Sequence, residues 1–235
     1  MTEPLRLIPV AIADRMVALA RREAGWRSAA IILAAVLLVI LAAGALLLWP
    51  VGVRAQSVPP EAHQYKRDLI RAGRSVWGMD APSATMAAQI HQESRWRAEA
   101  TSPVGAAGIA QFMPATARWI QGVYPGELAG DVRSAEWGIR ALARYDRHLW
   151  DRIDALDDCE RMAFTLSAYN GGLGWVQRRQ RISEKPRICL FATCELNPGI
   201  TPANQAENAA YPRRILLTLE PIYSAAGFGL GACTR

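Results

Sequence analysis

An uncharged run of 22 residues, Ser28 to Trp49, constrains this chain more than any other feature. At about 1.5 Å of rise per residue, a helix of that length crosses the roughly 30 Å hydrocarbon core of a bilayer. Trp26 and Trp49 flank the run, where interfacial aromatics are expected. Arg15, Arg21, Arg22 and Arg27 precede it closely and only Arg54 follows, which favours an amino end inside and a carboxyl end outside. Two other readings compete with an anchor. A buried core helix would have to be apolar on every face, which is rare in a domain this small. A cleaved signal peptide would use Val53-Arg54-Ala55 as its small-residue site. Against it, the apolar run and the segment before it are both long for a signal. The expected organisation is an inner-side amphipathic segment (1–27), a transmembrane helix (28–49), a stalk (50–60) containing Pro59-Pro60, and one domain (61–235). The last is long enough to bury a sizeable core.

The formal net charge is +6, of which residues 1–54 carry half. The cluster Arg178-Arg179-Gln180-Arg181 has no aromatic or glycine interleaving, so a nucleic-acid partner is not expected. A mild cationic excess suits an anionic polymer such as a cell wall equally well. The four cysteines, Cys159, Cys189, Cys194 and Cys233, all follow the membrane segment and lack zinc-ligand spacing. Reduced core thiols are one reading. In an exported domain disulfides are the better one, with three connectivities open and the short Cys189–Cys194 loop as first choice.

Beyond Pro60 the pattern is helix after helix. Ala81-Pro82-Ser83 opens a helix whose apolar side runs through Met86, Ala87 and Ile90 to Glu93. Helical spacing recurs over 134–153, 160–169 and 207–220, and Arg187–Phe191 reads as one short strand. The expected fold is mainly α. No phosphate-cradling loop, flavin site or metal cluster is visible, and no cofactor is expected.

Glu93 closes its apolar helix and is followed, ten residues on, by a glycine-bearing loop, Ser102 to Pro114. Desolvation there would raise a carboxyl pKa, as a general acid at neutral pH requires. A lone glutamate on a helix is nonetheless usually solvated surface, so the wider pattern has to decide. Glu93-Ser94, Gly108-Ile109-Ala110-Gln111 with Met113-Pro114-Ala115-Thr116-Ala117, Ala168-Tyr169-Asn170-Gly171-Gly172, and Glu207-Asn208-Ala209-Ala210-Tyr211 follow one another in order. In that order and spacing they resemble the lytic transglycosylases of the soluble-transglycosylase (SLT) family. The resemblance covers residues 60–225. Ile109-Ala110 departs from the family's usual Leu-Met or Leu-Leu, Asn208 stands where threonine is common, and Cys189–Gly199 has no counterpart.

The resemblance implies a lysozyme-like helical domain with a groove for alternating GlcNAc and MurNAc. Glu93 would act first as acid and then as base, leaving a 1,6-anhydro sugar. Ser94, Gly108, Gln111, Tyr169, Asn170, Glu207 and Tyr211 would bind substrate or place Glu93, with Tyr211 reaching its carboxyl. Several of these have structural alternatives. Ser94 can bond its own helix backbone, Tyr169 can be an ordinary core aromatic, and Asn170 can end a helix. His91 falls on another helical face, and Trp96 and Trp119 are the first groove candidates among the tryptophans. The implied partners are peptidoglycan strands and, through 28–49, a lipid bilayer. A goose-type lysozyme is the nearest rival and would need a second carboxylate, with Glu99, Asp131 and Glu207 as candidates. A non-catalytic glycan-binding component is the other rival, which retention of Glu93 opposes. Phage lysis enzymes, virion-borne wall-piercing proteins and bacterial wall-remodelling enzymes share such a domain, and one membrane segment fits them all.

Overall fold

A computed structural model describes residues 57–234, together with Asp14 and Arg15. The apolar run 28–49, the amphipathic segment before it and the first part of the expected stalk lie outside the described residues. None of the described helices is long and apolar enough to cross a membrane.

Pro59-Pro60 begins a helix rather than forming part of a stalk. Helix α1 spans Pro60–Trp77, with proline in its first turn, where a missing N–H costs nothing. Val58 already packs on the core. Then follow α2 (Ser83–Ser94), α3 (Pro114–Val123), α4 (Ala135–Trp150), α5 (Asp158–Gly171) and α6 (Leu173–Ile182). A single 3₁₀ turn, Thr193–Glu195, precedes α7 (Pro202–Arg213), a π-helical stretch (Arg214–Leu219) and α8 (Glu220–Ala225). The described residues contain no strand, only isolated bridges from Ala107 to Thr101 and to Phe112. The strand expected at Arg187–Phe191 is a series of turns. Its Cys189 and Leu190 amides donate to the Glu160 carboxylate instead of to a neighbouring strand.

The pattern of α2 suggests one apolar side, yet every residue from Ser83 to His91 is buried. Ala84, Ala87 and Ala88 are small enough for α1, the π stretch and α8 to close around it. Its polar side chains then need tertiary partners. Thr85 donates to Glu220 Oε2 at 2.6 Å, and His91 Nδ1 lies 2.9 Å from the Tyr223 hydroxyl. Burial lowers the His91 pKa, so this imidazole is a core group.

Helix α7 starts five residues before the expected 207, capped by the Thr201 side chain on the Asn204 amide. Pro212 sits inside it and cannot donate to the carbonyl one turn back. The chain relaxes into wider π turns just after Pro212 and resumes α geometry at Glu220-Pro221.

The carboxyl end is held twice. Cys233 is bonded to Cys159 across 74 residues, while Cys189 pairs with Cys194. Buried Glu220 accepts hydrogen bonds from the Ala232 and Cys233 amides as well as from Thr85. Gly231 passes so close that a Cβ would lie 2.2 Å from the Glu220 carboxylate.

One core pair carries a consequence for stability. Gln89 Nε2 donates to Asp146 Oδ1 at 3.3 Å, while Gln89 Oε1 and Asp146 Oδ2 are buried acceptors without a partner. Burial, with the nearby Glu93 charge, pushes the Asp146 carboxyl well above the carboxylate range. The neutral acid turns Oδ2 into a donor. A raised folded pKa stabilises the fold fully below the unfolded value of about 4, and that contribution is lost as pH rises towards the folded pKa. Asp146→Asn, which never ionises, should therefore gain on wild type by roughly 1 kcal/mol per pH unit above pH 4 in urea melts. An equal difference at pH 4.5 and pH 7.5 would refute a neutral Asp146.

The disulfides should differ in weight. On loop-closure entropy, removing Cys159–Cys233 by paired serines should cost about 4 kcal/mol and removing Cys189–Cys194 about 2 kcal/mol. Denaturant midpoints of the two double variants, at equal m-value, would show the order.

Candidate active site

Helix α2 stops abruptly after Glu93-Ser94. Arg95 and Trp96 both take left-handed backbone conformations, φ 53° and 67°, uncommon for residues with a Cβ. Glu93 thus stands in the final turn of a buried helix, at the point where the chain swings out into the 97–113 loop. Ser94 ties that loop down, since its hydroxyl donates to the Ile109 carbonyl at 2.7 Å. Gln111, also left-handed at φ 49°, donates from Nε2 to the Ala100 and Gly108 carbonyls. From the far side, the Tyr169 hydroxyl donates to the Ala110 carbonyl at 2.6 Å.

These contacts shape a cavity of about 300 Å³ with Glu93 in its wall. Gln111, Tyr145, Tyr169, Asn170 and Glu207 share it, and the exposed side chains of Val104 and Met113 line it as well. The Tyr211 hydroxyl, from α7, donates to Glu93 Oε1. Desolvation is the largest influence on Glu93 and raises its pKa; the Tyr211 bond opposes this and the nearby Glu207 charge adds to it. Desolvation wins, and the pKa stands at about 7. Burial also holds the Tyr211 and Tyr169 hydroxyls protonated far above neutral pH.

Asn208 organises the opposite wall. Its amide nitrogen donates to Asn170 Oδ1 and to the Ser167 carbonyl, and its oxygen accepts from the Ser167 hydroxyl. Asn170 in turn donates to Glu207 Oε1 at 3.3 Å. A Cβ on Gly171 would lie 2.6 Å from the Asn208 amide, so the asparagine that departs from the SLT pattern requires the glycine beside it.

The structure separates the expected site residues into two sets. Glu93, Gln111, Tyr169, Asn170 and Glu207 line the cavity and Tyr211 bonds Glu93. Ser94 and Gly108 do not line it. The Ser94 side chain is buried with its hydroxyl on a backbone carbonyl, and Gly108 lines a neighbouring cleft behind the loop. Trp96 is a core residue, donating from Nε1 to the Tyr223 hydroxyl at 2.6 Å, not a groove wall. Trp119 is exposed and packs edge-on against His148 and against Tyr145, which lines the Glu93 cavity, but is not itself in the cavity lining. Of the candidate second carboxylates, Glu99 faces the other cleft and Asp131 accepts from the Arg133 amide in a turn. Only Glu207 of the three shares the cavity with Glu93. Tyr145 is one of the cavity residues that the sequence did not single out; its place in the arginine-rich pattern of α4 gives no signal beyond an amphipathic helix. Among the described residues, no cluster of three His, Cys, Asp or Glu is placed to hold a metal ion.

Comparisons with known proteins agree with this geometry. Residues 75–190 match the family model of the transglycosylase SLT domain. A membrane-bound lytic murein transglycosylase F of Shewanella frigidimarina is 35% identical over 100 residues, covering 42% of this chain and 20% of that protein. The corresponding protein of Pasteurella multocida is 33% identical over 100 residues, covering 42% and 19%. This chain thus spans about a fifth of the length of the curated relatives it matches. Among solved structures, an inactive mutant of the lytic transglycosylase Slt of Pseudomonas aeruginosa superposes with a TM-score of 0.57 at 22% identity, over 79% of this chain and 27% of that one. The 70 kDa soluble lytic transglycosylase of Escherichia coli gives 0.53 at 21% identity, over 72% and 25%. With this fold around Glu93 and its four motifs in order, residues 75–190 match a transglycosylase SLT domain, carried on a lysozyme-like helical fold.

Proposed function

We propose that this chain is a membrane-anchored lytic transglycosylase that cleaves the β-1,4 bond between MurNAc and GlcNAc in peptidoglycan. The observation that carries the reading is a single desolvated carboxyl, Glu93, with a pKa of about 7, set in a cavity and aimed by Tyr211. Near neutral pH such a group is protonated often enough to give a proton and basic enough to take one back.

The chemistry follows from those two states. Glu93 donates its proton to the glycosidic oxygen as the MurNAc C1–oxygen bond breaks, and GlcNAc leaves with a new hydroxyl. The resulting carboxylate accepts the proton of the MurNAc C6 hydroxyl while that oxygen bonds to C1. The product is a 1,6-anhydro ring, Glu93 is protonated again, and no water is consumed. Tyr211 steadies the carboxylate midway, being a donor that stays protonated throughout. Asn170 and Gln111 offer amide groups to sugar hydroxyls and acetamides.

The setting has its own support. The run 28–49 reads as an anchor with the amino end inside, and the matched relatives are named membrane-bound. Both disulfides fit an oxidising space outside the membrane, where a periplasmic or virion-borne domain would meet the wall. Glu207 keeps a hydrolytic alternative testable, because it is the carboxylate able to face Glu93 across the cavity.

Full-length protein incubated with purified peptidoglycan should release muropeptides one water lighter than hydrolysis products by mass spectrometry. Hydrated, reducing ends would transfer the reading to a lysozyme using Glu207. Glu93→Gln should remain folded and lose about 10² to 10⁴ in rate; near-native turnover in that variant would sink the assignment.

Tyr211 gives a pH signature. Activity should fall on the alkaline side as Glu93 loses its proton through about pH 7. Because the Tyr211 hydrogen bond lowers that pKa, Tyr211→Phe should move the alkaline limb upward and cut the maximum roughly tenfold. A limb that stays in place would mean that Tyr211 does not act on the Glu93 proton.

A further inference from the structure

Beyond Asn170 and Glu207 the cavity does not end. The same two residues line an adjoining hollow of about 260 Å³, closed by Trp175, Ile200 and Asn204. The geometry points to an additional saccharide-binding subsite here, in which Trp175 stacks on one N-acetylhexosamine ring and Asn204 holds its polar edge. It rests on the glycan-cleaving reading above.

The hollow is lined by the end of α5, by Trp175 of α6, by Ile200 and by α7, while the Cys189–Gly199 segment, which has no counterpart in the family pattern, leads into Ile200 without lining it. Helix α6 anchors itself through Val176 and Arg179, both fully buried, and leaves Trp175 at 36% exposure on its open side. Arg179 donates to the Leu196 carbonyl and to Gln205 Oε1, and Gln205 donates to the Cys194 carbonyl. With the Cys189–Cys194 bond, these contacts fix the chain entering α7. Asn197 Oδ1 accepts from the Gly199 and Ile200 amides, setting Ile200 against the hollow. The Asn204 side chain, exposed at this edge, makes no hydrogen bond within the described residues and so has both a donor and an acceptor to offer.

The lining selects the ligand. It contains no lysine, arginine or histidine, so nothing in it would neutralise the carboxylates of a peptide stem. An indole beside three asparagine amides and a carboxylate suits a neutral pyranose, whose C–H face is apolar and whose rim carries hydroxyls and an acetamide. Continuity with the Glu93 cavity through Asn170 and Glu207 places that ring next along the same strand. The alternative role for Trp175, a partner for the Arg178 guanidinium 5.8 Å from its ring centre, leaves the hollow and Asn204 unexplained.

The test uses full-length Glu93→Gln protein and peptide-free GlcNAc–MurNAc oligomers of increasing length, titrated by calorimetry. Affinity should rise with length, and adding Trp175→Ala should remove one increment, about tenfold on long oligomers and nothing on the shortest. Trp175→Phe should restore most of it, and unchanged melting curves would confirm folding. Equal weakening at every length, or none at any length, overturns the subsite. A loss seen only with peptide-bearing strands overturns the choice of ligand. Wild-type turnover of peptidoglycan, measured alongside, reports separately on the proposed activity.

Discussion

Helix α2 is enclosed on every side from Ser83 to His91, and this enclosure governs where Glu93 can stand and what its proton does. A buried helix can offer a carboxyl to solvent only where it ends. The two left-handed residues that follow, Arg95 and Trp96, make that end sharp enough for Glu93 to sit at the edge of the core without lying on the surface. Desolvation from the surrounding helices then outweighs the Tyr211 hydrogen bond, which by itself would favour the anion. A surface glutamate with the same tyrosine partner would titrate on the acid side of its ordinary range. Here burial decides the sign.

The groove wall is made from backbone held by side chains, which explains why Ser94 is buried on a carbonyl instead of lining the cavity. Ser94, Gln111 and Tyr169 all donate to carbonyls of the 97–113 loop. Each such bond contributes on the order of 1 kcal/mol, comparable to the cost of one residue held at positive φ. The loop therefore keeps Arg95, Trp96 and Gln111 in strained conformations only while all the ties are made. On the other wall Asn208 does the same work for Asn170 and Glu207. The two walls are joined where Tyr169 reaches Ala110.

Much of this could be read from the sequence because short-range chemistry was enough. The proline and glycine punctuation marked the helices, and four motifs in order brought Glu93, Asn170, Glu207 and Tyr211 into one neighbourhood. What escaped were features that depend on which face a neighbour covers. Trp96 and Trp175 differ little in local sequence, but the first is enclosed by Tyr223 and Phe228 while the second lies outside the anchors of α6. Asp146 looks like one more acid in a charged helix until α2 is packed on it. Pro212 falls inside the helical spacing of 207–220, but that spacing does not show that tertiary packing carries the helix through the proline by taking up the lost hydrogen bond as π turns.

An acid poised near neutrality carries a cost to the fold that holds it. Raising Glu93 from its ordinary value of 4.5 to about 7 means that, above pH 7, the folded state forgoes about 3 kcal/mol relative to an unshifted carboxyl. The loss begins as pH climbs past the unfolded value and is complete once it passes the folded one. Asp146, pushed the same way beside it, adds to the burden. Against this, the Cys159–Cys233 bond contributes about 4 kcal/mol by restricting the unfolded chain, and Glu220 secures the same tail from within the core. These clasps act through the carboxyl-terminal tail and the unfolded state, so they offset the cost of the site without restraining the groove. The two problems, a desolvated carboxyl and a stable domain, are thereby solved in different parts of the molecule.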